Sequence, residues 1–316
     1  MTRPLLALCI LFLSISVLGS EVPPSQVCPS PWNCRVSPFT LKSNNAVTGV
    51  PKFLKVSIRH GYLEENSNVP FKGNLIFYEG LGDSMLNHRP LFQKLTDAGY
   101  RVIAFDYMGQ GGSGGSMDDT RILEIGSLGN RVWNLYARNL KDFPKKTILG
   151  WSTGGLAAYA QAAREMNVDN VILIAPGIAP KYLVGEQNPL RGEINRITVS
   201  TLTTQSYDDG SLDPHVDPIK PSSPLLVPCF SMDLAMTAKV MRSTPIGRRV
   251  NGFVLLSGEN DTYVDAKKTR RVLEVIAPHF LIKQYQGALH EIDNESEPNA
   301  SMAHQDILNF LERNSL

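Results

Sequence analysis

The sequence lacks any strong excess of charge. Its 316 residues include 31 Lys and Arg and 30 Asp and Glu, and the formal net charge is +1. A bulk basic field of the kind that attracts nucleic acid is absent, so we expect no nucleic-acid partner. Hydrophobic residues make up 42% of the chain, which is enough for a substantial core and not typical of disorder.

Motifs of metal and nucleotide chemistry are also missing. The chain has no H-E-x-x-H, no paired Cys-x-x-Cys and no Walker loop, so we expect no metal and no cofactor. Residues 109–114 (GQGGSG) match the G-x-G-x-x-G dinucleotide pattern after a strand-like run. Such a site requires a helix directly after the loop, whereas residues 115–119 intervene here. We therefore interpret this loop as a turn that binds no nucleotide.

The apolar run at the N-terminus is short. Residues 5–17 are almost entirely apolar, follow a basic start at Arg3 and lead into Gly19 and Ser20. This order is typical of a secretory signal peptide, and the run is too short for a comfortable membrane span. We expect cleavage of residues 1–20 and export to the periplasm or the medium. An uncleaved N-terminal anchor is the alternative.

Cysteine is rare, with 4 residues in the chain. Cys28 and Cys34 flank a turn-rich PSPWN segment, and in an exported protein a small disulfide loop is the natural hypothesis. Two reduced thiols are the alternative. Cys229 lies in an apolar run, which favours a buried, inert thiol.

Strand-like runs alternate with helix-like runs along most of the chain. The patterns predict strands at 53–58, 74–78, 100–105, 147–149, 170–174, 253–256 and 280–285, and helices at 90–98, 120–140, 156–165, 230–241, 264–276 and 302–311. This alternation predicts an α/β fold, with a mostly parallel sheet covered by helices on both faces.

The alternation stops between residues 179 and 249, a segment with many polar and proline positions. We interpret 179–249 as an inserted cap, and a loose surface excursion is the alternative. The predicted organisation is therefore a signal peptide (1–20), a first core segment (21–178), the cap (179–249) and a second core segment (250–316).

The segment Gly150-Trp151-Ser152-Thr153-Gly154 matches G-x-S-x-G. A serine hydroxyl is a weak nucleophile and needs a base, an orienting acid and donors for the developing negative charge. In a nucleophile elbow, the serine lies on a sharp turn from a strand to a helix. An apolar strand precedes this segment and a helix of small residues follows it, so we predict that Ser152 is the nucleophile.

A base should follow the nucleophile along the chain, after an acid. His290 lies on a loop beyond the strand that ends near Tyr285, and it is our candidate base, with His215 a distant second. The loop after the strand at 253–256 carries the candidate acids Glu259, Asp261 and Asp265. Asp265 is placed to start the next helix and Glu259 lies early in the turn, so we select Asp261.

The loop after the strand at 74–78 reads Glu79-Gly80-Leu81-Gly82-Asp83. Its glycines allow backbone to approach a substrate, so we predict an oxyanion hole formed by the Leu81 and Thr153 amides. The neighbouring Glu79, Gly80 and Trp151 are predicted to bind substrate. A plain glycine turn is the alternative.

Four stretches together resemble the α/β-hydrolase superfamily, and within it the monoacylglycerol lipase and lysophospholipase branch, the serine aminopeptidase S33-type hydrolases. They are YEGLGDSMLNHRPLFQKLTDAGYRVIAFDYMGQGGSGG, ILGWSTGGLAA, LLSGENDTYVD and QGALHEI, within a resemblance that covers roughly residue 70 to the C-terminus. The resemblance implies the α/β-hydrolase fold, a Ser152-Asp261-His290 triad, oxyanion amides at Leu81 and Thr153, and a lid at about 179–249.

One position departs from that resemblance, because Glu79 stands where the family usually has histidine. A carboxylate there would oppose an oxyanion unless it were neutral or paired. We expect a serine hydrolase acting on small-molecule esters or lipids with an apolar acyl group, with transient contact between the lid and a membrane surface. A peptidase or amidase, in which Glu79 could hold a peptide amine, and an inactive binding protein are the alternatives. Acyl-chain length and oligomeric state stay open.

Overall fold

The computed structural model describes residues 28–44, 51–165, 167–181, 187–188, 193–194, 202–204 and 225–314. Its strands are β1 (Asn33–Asn44), β2 (Pro51–Leu63), β3 (Gly73–Tyr78), β4 (Tyr100–Phe105), β5 (Thr147–Trp151), β6 (Asn170–Ile174), β7 (Gln187–Asn188), β8 (Glu193–Ile194), β9 (Leu225–Leu226), β10 (Asn251–Leu256) and β11 (Leu281–Gln284). Its helices are α1 (Arg89–Asp97), α2 (Ile122–Tyr136), α3 (Ser152–Arg164), α4 (Pro228–Met241), α5 (Ala266–Ile276) and α6 (Asn299–Asn314). The predicted signal peptide, His215 and about half of the predicted cap lie outside the described residues.

Eight strands form the central sheet in the order β1-β2-β4-β3-β5-β6-β10-β11. β2 pairs antiparallel with both β1 and β4, and the strands from β4 to β11 are parallel. The predicted α/β fold is confirmed. The carboxyl ends of β3, β5, β10 and β11 lie at one edge of the sheet, which is where ligands bind in such folds.

The parallel strands bury both of their faces. In β3, Ile76 and Tyr78 join one core cluster with α2 and α3, whereas Leu75 and Phe77 join the other with α1 and α6. Successive side chains of a strand point to opposite faces, so near-continuous apolar runs such as LIFY fill both layers. The sheet thus forms a rigid platform below the loops at its carboxyl edge.

Element boundaries differ from the predictions at two places that matter. α3 begins at Ser152 itself rather than near residue 156, because its first turn is the glycine-rich TGG that carries no helix signal. β1 was not predicted, since its mixed polar sequence gains order from a 12-residue antiparallel pairing with β2 rather than from its own pattern.

Helix α4 of the predicted cap is attached to the core by two carboxylates that cap helices across elements. Asp118 Oδ1 accepts from the Cys229 and Phe230 N–H groups at 2.6 and 3.0 Å, at the start of α4. In return, Asp233 on α4 accepts from the Ile122 N–H at 2.8 Å, at the start of α2. Helix N-termini leave such donors unpaired, so each helix is completed by the other segment.

A disulfide joins Cys28 and Cys34, whose Cα atoms are 5.4 Å apart. Cys28 precedes β1, and Cys34 is the second residue of that strand. Cys229 is only half-buried at the start of α4, contrary to the buried thiol expected from its apolar run. In the described ranges, no helix has the length and apolar character needed to cross a membrane.

Candidate active site

Ser152 occupies a strained turn between β5 and α3. Its φ is +53°, in the left-handed region that costs a non-glycine L-residue roughly 1–2 kcal/mol. Gly154 packs against the end of β3, where an added Cβ would lie 2.5 Å from the Glu79 carbonyl oxygen. Glycine is therefore required for space, and the turn leaves the Ser152 side chain partly exposed above the sheet.

Three side chains from separate loops form one hydrogen-bonded chain. Ser152 Oγ lies 2.8 Å from His290 Nε2, and His290 Nδ1 lies 3.0 Å from Asp261 Oδ2. These residues follow β5, β11 and β10, whose carboxyl ends meet at one edge of the sheet. The structure thus brings together the three residues that the sequence selected, in the arrangement of a nucleophile, a base and an orienting acid.

Asp261 is held as a carboxylate by its donors. Oδ2 accepts from the Ser257 hydroxyl at 2.5 Å, and Oδ1 accepts from the Tyr263 and Val264 N–H groups at 2.8 and 2.9 Å. Burial works against the charge, but His290, Ser257 and Val264 outweigh it and hold the pKa of Asp261 below its ordinary value. The carboxylate binds Nδ1–H of His290, so that Nε2 faces Ser152 as an acceptor.

The other acids of this loop have different partners. Glu259 is exposed and pairs with Lys267 at 2.7 Å. Asp265 caps α5 by accepting from the Lys268 N–H at 2.8 Å, as expected for an acid at a helix start. Of the three candidates, Asp261 alone contacts His290.

The two amides predicted to bind an oxyanion come from segments that meet at Gly154. Thr153 is the second residue of α3, where backbone N–H groups have no partner inside the helix. Leu81 lies in the loop after β3, and no acceptor in the described part of the chain takes its N–H. Gly80 packs on the Trp151 ring, which leaves no room for a Cβ. Both N–H groups are therefore available to a ligand.

The contacts of Glu79 bear on whether its carboxyl group is charged beside these amides. Oε1 accepts from the Tyr107 N–H at 3.1 Å and from Gln110 Nε2 at 3.0 Å, while Oε2 is buried and reaches no donor in the described residues. Burial and the charges of Asp106 and Asp83 raise the pKa of Glu79 well above its ordinary value. The raised pKa favours the neutral acid, which would place no negative charge beside the loop.

The side chains of Glu79 and Trp151 do not line the cleft. They are 0% and 1% exposed, and the Trp151 indole N–H donates to the His290 carbonyl oxygen at 3.1 Å. The prediction that these two side chains bind substrate is wrong, because both face the interior. Trp151 contacts Gly80 in the loop after β3 and the backbone of His290, and Glu79 accepts from the Tyr107 N–H, so both residues support the loops around the site.

The glycines of the GQGGSG loop make room for an ion pair. Arg59 Nε lies 2.5 Å from Asp106 Oδ2, and both side chains are fully buried. A Cβ at Gly111 would collide with Asp106, and one at Gly112 would lie 2.6 Å from Arg59 Nε. Close packing against this ion pair thus explains why glycine occupies these positions of the dinucleotide-like motif.

A second buried cluster links the loop after β3 to the loop that carries His290. His88 Nδ1 lies 2.6 Å from Asp293 Oδ2, and Nε2 lies 2.9 Å from Asp83 Oδ2. Burial disfavours its charged form, but Asp293 and Asp83 outweigh this and raise the pKa of His88 well above its ordinary value. Sequence reasoning missed this cluster; the dense polar residues of DSMLNH, next to an apolar strand, were the available signal. Within the described residues, no group of His, Cys, Asp and Glu is arranged to hold a metal ion.

A mostly parallel sheet, with a serine on the turn after β5 and an acid and a histidine after later strands, defines an α/β-hydrolase. The chain belongs to the serine aminopeptidase S33 family, whose sequence model matches residues 70–297. The family resemblance carried by the four stretches is therefore confirmed. Among curated proteins, no sequence matches the chain.

Several solved structures share the fold at low sequence identity. A monoacylglycerol lipase from Paleococcus ferrophilus is 20% identical, with 82% of this chain and 99% of that chain covered and a TM-score of 0.62. A soluble variant of monoglyceride lipase from Saccharomyces cerevisiae, solved with a substrate analogue, is 15% identical, with coverages of 92% and 99% and a TM-score of 0.66. A carboxyl esterase from Bacillus coagulans, solved with glycerol, is 14% identical, with coverages of 90% and 99% and a TM-score of 0.62.

Proposed function

We propose that this protein is an exported serine hydrolase that cleaves carboxylic esters with an apolar acyl group, such as monoacylglycerols or lysophospholipids. The observation that carries the proposal is the hydrogen-bonded chain from Asp261 through His290 to Ser152 on its strained turn. The lipases and the esterase that share the fold support the ester class. The signal-like N-terminal sequence and the disulfide support export.

The proposed reaction begins when Ser152 Oγ attacks the ester carbonyl carbon and His290 Nε2 takes the hydroxyl proton. Asp261 stabilises the imidazolium that forms. The Leu81 and Thr153 N–H groups bind the tetrahedral oxyanion, and one such donor is commonly worth about 3–4 kcal/mol. The imidazolium then protonates the leaving alcohol, and a water molecule activated by His290 hydrolyses the acyl-enzyme.

An apolar surface on the cap helix supports a lipid-like substrate. Met236 and Val240 lie one turn apart on α4 and are 57% and 52% exposed. In the first turn of the same helix, the buried Phe230 ring stacks on Tyr107 at a centroid distance of 6.3 Å. The helix thus presents apolar side chains outward while it rests on the core, which suits transient contact with a lipid surface.

The peptidase alternative depends on Glu79 as the group that would hold a peptide amine. A group that holds a peptide amine must be charged and must reach the substrate, whereas Glu79 is buried and its raised pKa favours the neutral form. The inactive alternative is opposed by the intact geometry around Ser152. Ester hydrolysis is therefore the function that the site supports best.

An activity-based probe tests this proposal directly. A fluorophosphonate should label the folded protein, and labelling should be lost in Ser152→Ala but retained in the matched surface variant Ser301→Ala. Hydrolysis of p-nitrophenyl esters of increasing acyl length should exceed hydrolysis of aminoacyl p-nitroanilides. Folded wild-type protein that is neither labelled nor active on any ester would overturn the proposal, and a preference for the anilides would favour the peptidase.

A further inference from the structure

We propose that Gln110 and Tyr107 are positioning residues that set the oxyanion hole by holding the carbonyl group of Gly80. This inference rests on the proposed function and extends it to two residues that touch no substrate atom. It also gives the GQGGSG loop a role beyond packing, because Gln110 belongs to that loop.

The carbonyl of Gly80 is bound from two directions. Gln110 Nε2 donates to its oxygen at 2.9 Å, and the Tyr107 hydroxyl donates at 3.2 Å. The Gly80 carbonyl and the Leu81 N–H belong to the same planar, trans peptide unit and point in opposite directions. Fixing the carbonyl inward therefore fixes the Leu81 N–H outward, whereas a rotated peptide would aim a carbonyl oxygen at the developing oxyanion.

Gln110 is bound so that only one orientation of its amide satisfies every contact. Oε1 accepts from the Gly82 N–H at 2.5 Å, while Nε2 donates both to the Gly80 carbonyl oxygen and to Glu79 Oε1. A turned amide would place donor against donor and acceptor against acceptor. The side chain is 4% exposed, so water is a poor substitute for these bonds. Gln110 is thus hydrogen-bonded to the residues on both sides of Leu81.

Tyr107 is held as firmly as Gln110. Its own N–H donates to Glu79 Oε1 at 3.1 Å, and its ring stacks with Phe230 of α4 at an interplanar angle of 19°. The hydroxyl that reaches Gly80 is therefore fixed from its backbone and from its ring face. Glu79 Oε1 thus serves as an acceptor for both positioning residues and joins them in one buried network.

Steady-state kinetics on the full chain with a p-nitrophenyl ester tests the inference. Gln110→Met keeps the side-chain volume but removes both hydrogen-bonding functions, and we expect kcat to fall about 10- to 100-fold with KM changed less than about threefold, short of the loss of a direct oxyanion donor. Tyr107→Phe removes one donor and should lower kcat about three- to tenfold. The exposed Gln93→Met is the matched control and should match the wild type.

A reversible trifluoromethyl ketone separates positioning from general damage. It forms a tetrahedral adduct with the serine, so its affinity should fall in parallel with kcat across Gln110→Met and Tyr107→Phe, while thermal unfolding of Tyr107→Phe stays close to that of the wild type. Variants that keep wild-type kcat and wild-type inhibitor affinity, in a protein whose Ser152-dependent activity is intact, would overturn this inference and leave the proposed function standing. A wild-type protein without Ser152-dependent hydrolysis would instead overturn the proposed function.

Discussion

Two fully buried carboxyl groups, Asp261 and Glu79, lie at the candidate active site, and their pKa values are shifted in opposite directions. Asp261 has donors on both oxygens and keeps its pKa below the ordinary value. Glu79 has donors on Oε1 alone, and burial together with the charges of Asp106 and Asp83 raises its pKa. Burial disfavours the carboxylate at both positions, so the donors and the charges of the neighbours account for the opposite directions of the two pKa shifts.

This difference suits the proposed chemistry. A carboxylate at Asp261 stabilises the positive charge that forms on His290, whereas a carboxylate at Glu79 would oppose the oxyanion near Leu81. At an effective dielectric constant of about 20, a like charge roughly 6 Å away costs about 3 kcal/mol, which would cancel one oxyanion donor. The directions of the two pKa shifts thus fit the proposed reaction, which favours a carboxylate beside His290 and a neutral acid near the Leu81 amide.

Removing the charge of Asp261 should have the largest effect on activity. Asp261→Asn keeps the shape of the side chain but offers an amide where His290 Nδ1–H needs an acceptor, and we expect kcat to fall about 10⁴-fold. Esterase kinetics checks this, with Asp265→Asn on the same loop as the control that stays near the wild-type rate. A loss below about tenfold for Asp261→Asn would show that its charge is not required.

Asp106, an acidic neighbour of Glu79, should contribute strongly to the free energy of unfolding. Asp106→Ala leaves the buried Arg59 guanidinium without its ion-pair partner and the Met85 and Gly112 N–H groups without an acceptor, and we expect a loss of about 3–5 kcal/mol in the free energy of unfolding. Urea denaturation measures it. The double variant Arg59→Met/Asp106→Leu should regain part of the loss, and equal stability of the single and double variants would contradict the ion-pair account.

A third, smaller effect concerns a carboxylate that is only partly buried. Asp118 accepts from two N–H groups at the start of α4, so Asp118→Ala should cost about 1 kcal/mol, the usual value of a helix cap. Chemical denaturation measures the loss, with the exposed Asp142→Ala as the control. If α4 is held mainly by Phe230 and the other buried apolar residues instead, the two variants will have the same stability.

The sequence predicted the parts of this molecule that depend on local pattern. Apolar runs located the parallel strands, and G-x-S-x-G in a strand-turn-helix context located Ser152. Chain order located His290 and Asp261, because the topology of a parallel sheet brings the ends of its strands together. These features were accessible because each rests on spacing along the chain.

The charge of Glu79 and the roles of His88 and Gln110 could not be predicted. Each depends on contacts between segments far apart in sequence, such as the hydrogen bond from His88 to Asp293 and the bonds from Gln110 to the Gly80 loop. The sequence showed that Glu79 departs from the family pattern, but its raised pKa follows from burial and from neighbouring acids that only the folded chain brings together. Side-chain burial, which made Glu79 and Trp151 supporting rather than substrate-binding residues, is likewise a property of the folded chain.

The smallest expected effect on activity comes from Glu79→Gln, and it completes the comparison with Asp261→Asn. A glutamine can accept from the Tyr107 N–H and from Gln110 Nε2 with Oε1, as Glu79 does, and it carries no charge. We therefore expect kcat and KM within about twofold of the wild type, since no hydrogen bond is lost. A fall of tenfold or more would show that an ionised Glu79 takes part in the reaction.

The pH dependence of stability gives Glu79→Gln a second, signed readout. The folded protein holds the Glu79 proton at pH values where the unfolded chain has released it, above the ordinary pKa of about 4.3. The stability supplied by this group is therefore complete below that pH and declines as the pH rises toward the raised native pKa. Glutamine has no proton to lose, so the variant should gain stability over the wild type progressively as the pH rises above about 4 in urea denaturation series. A difference that is constant with pH would mean that Glu79 titrates alike in both states, and one that grows in the wild type's favour would mean that the folded protein stabilises its carboxylate.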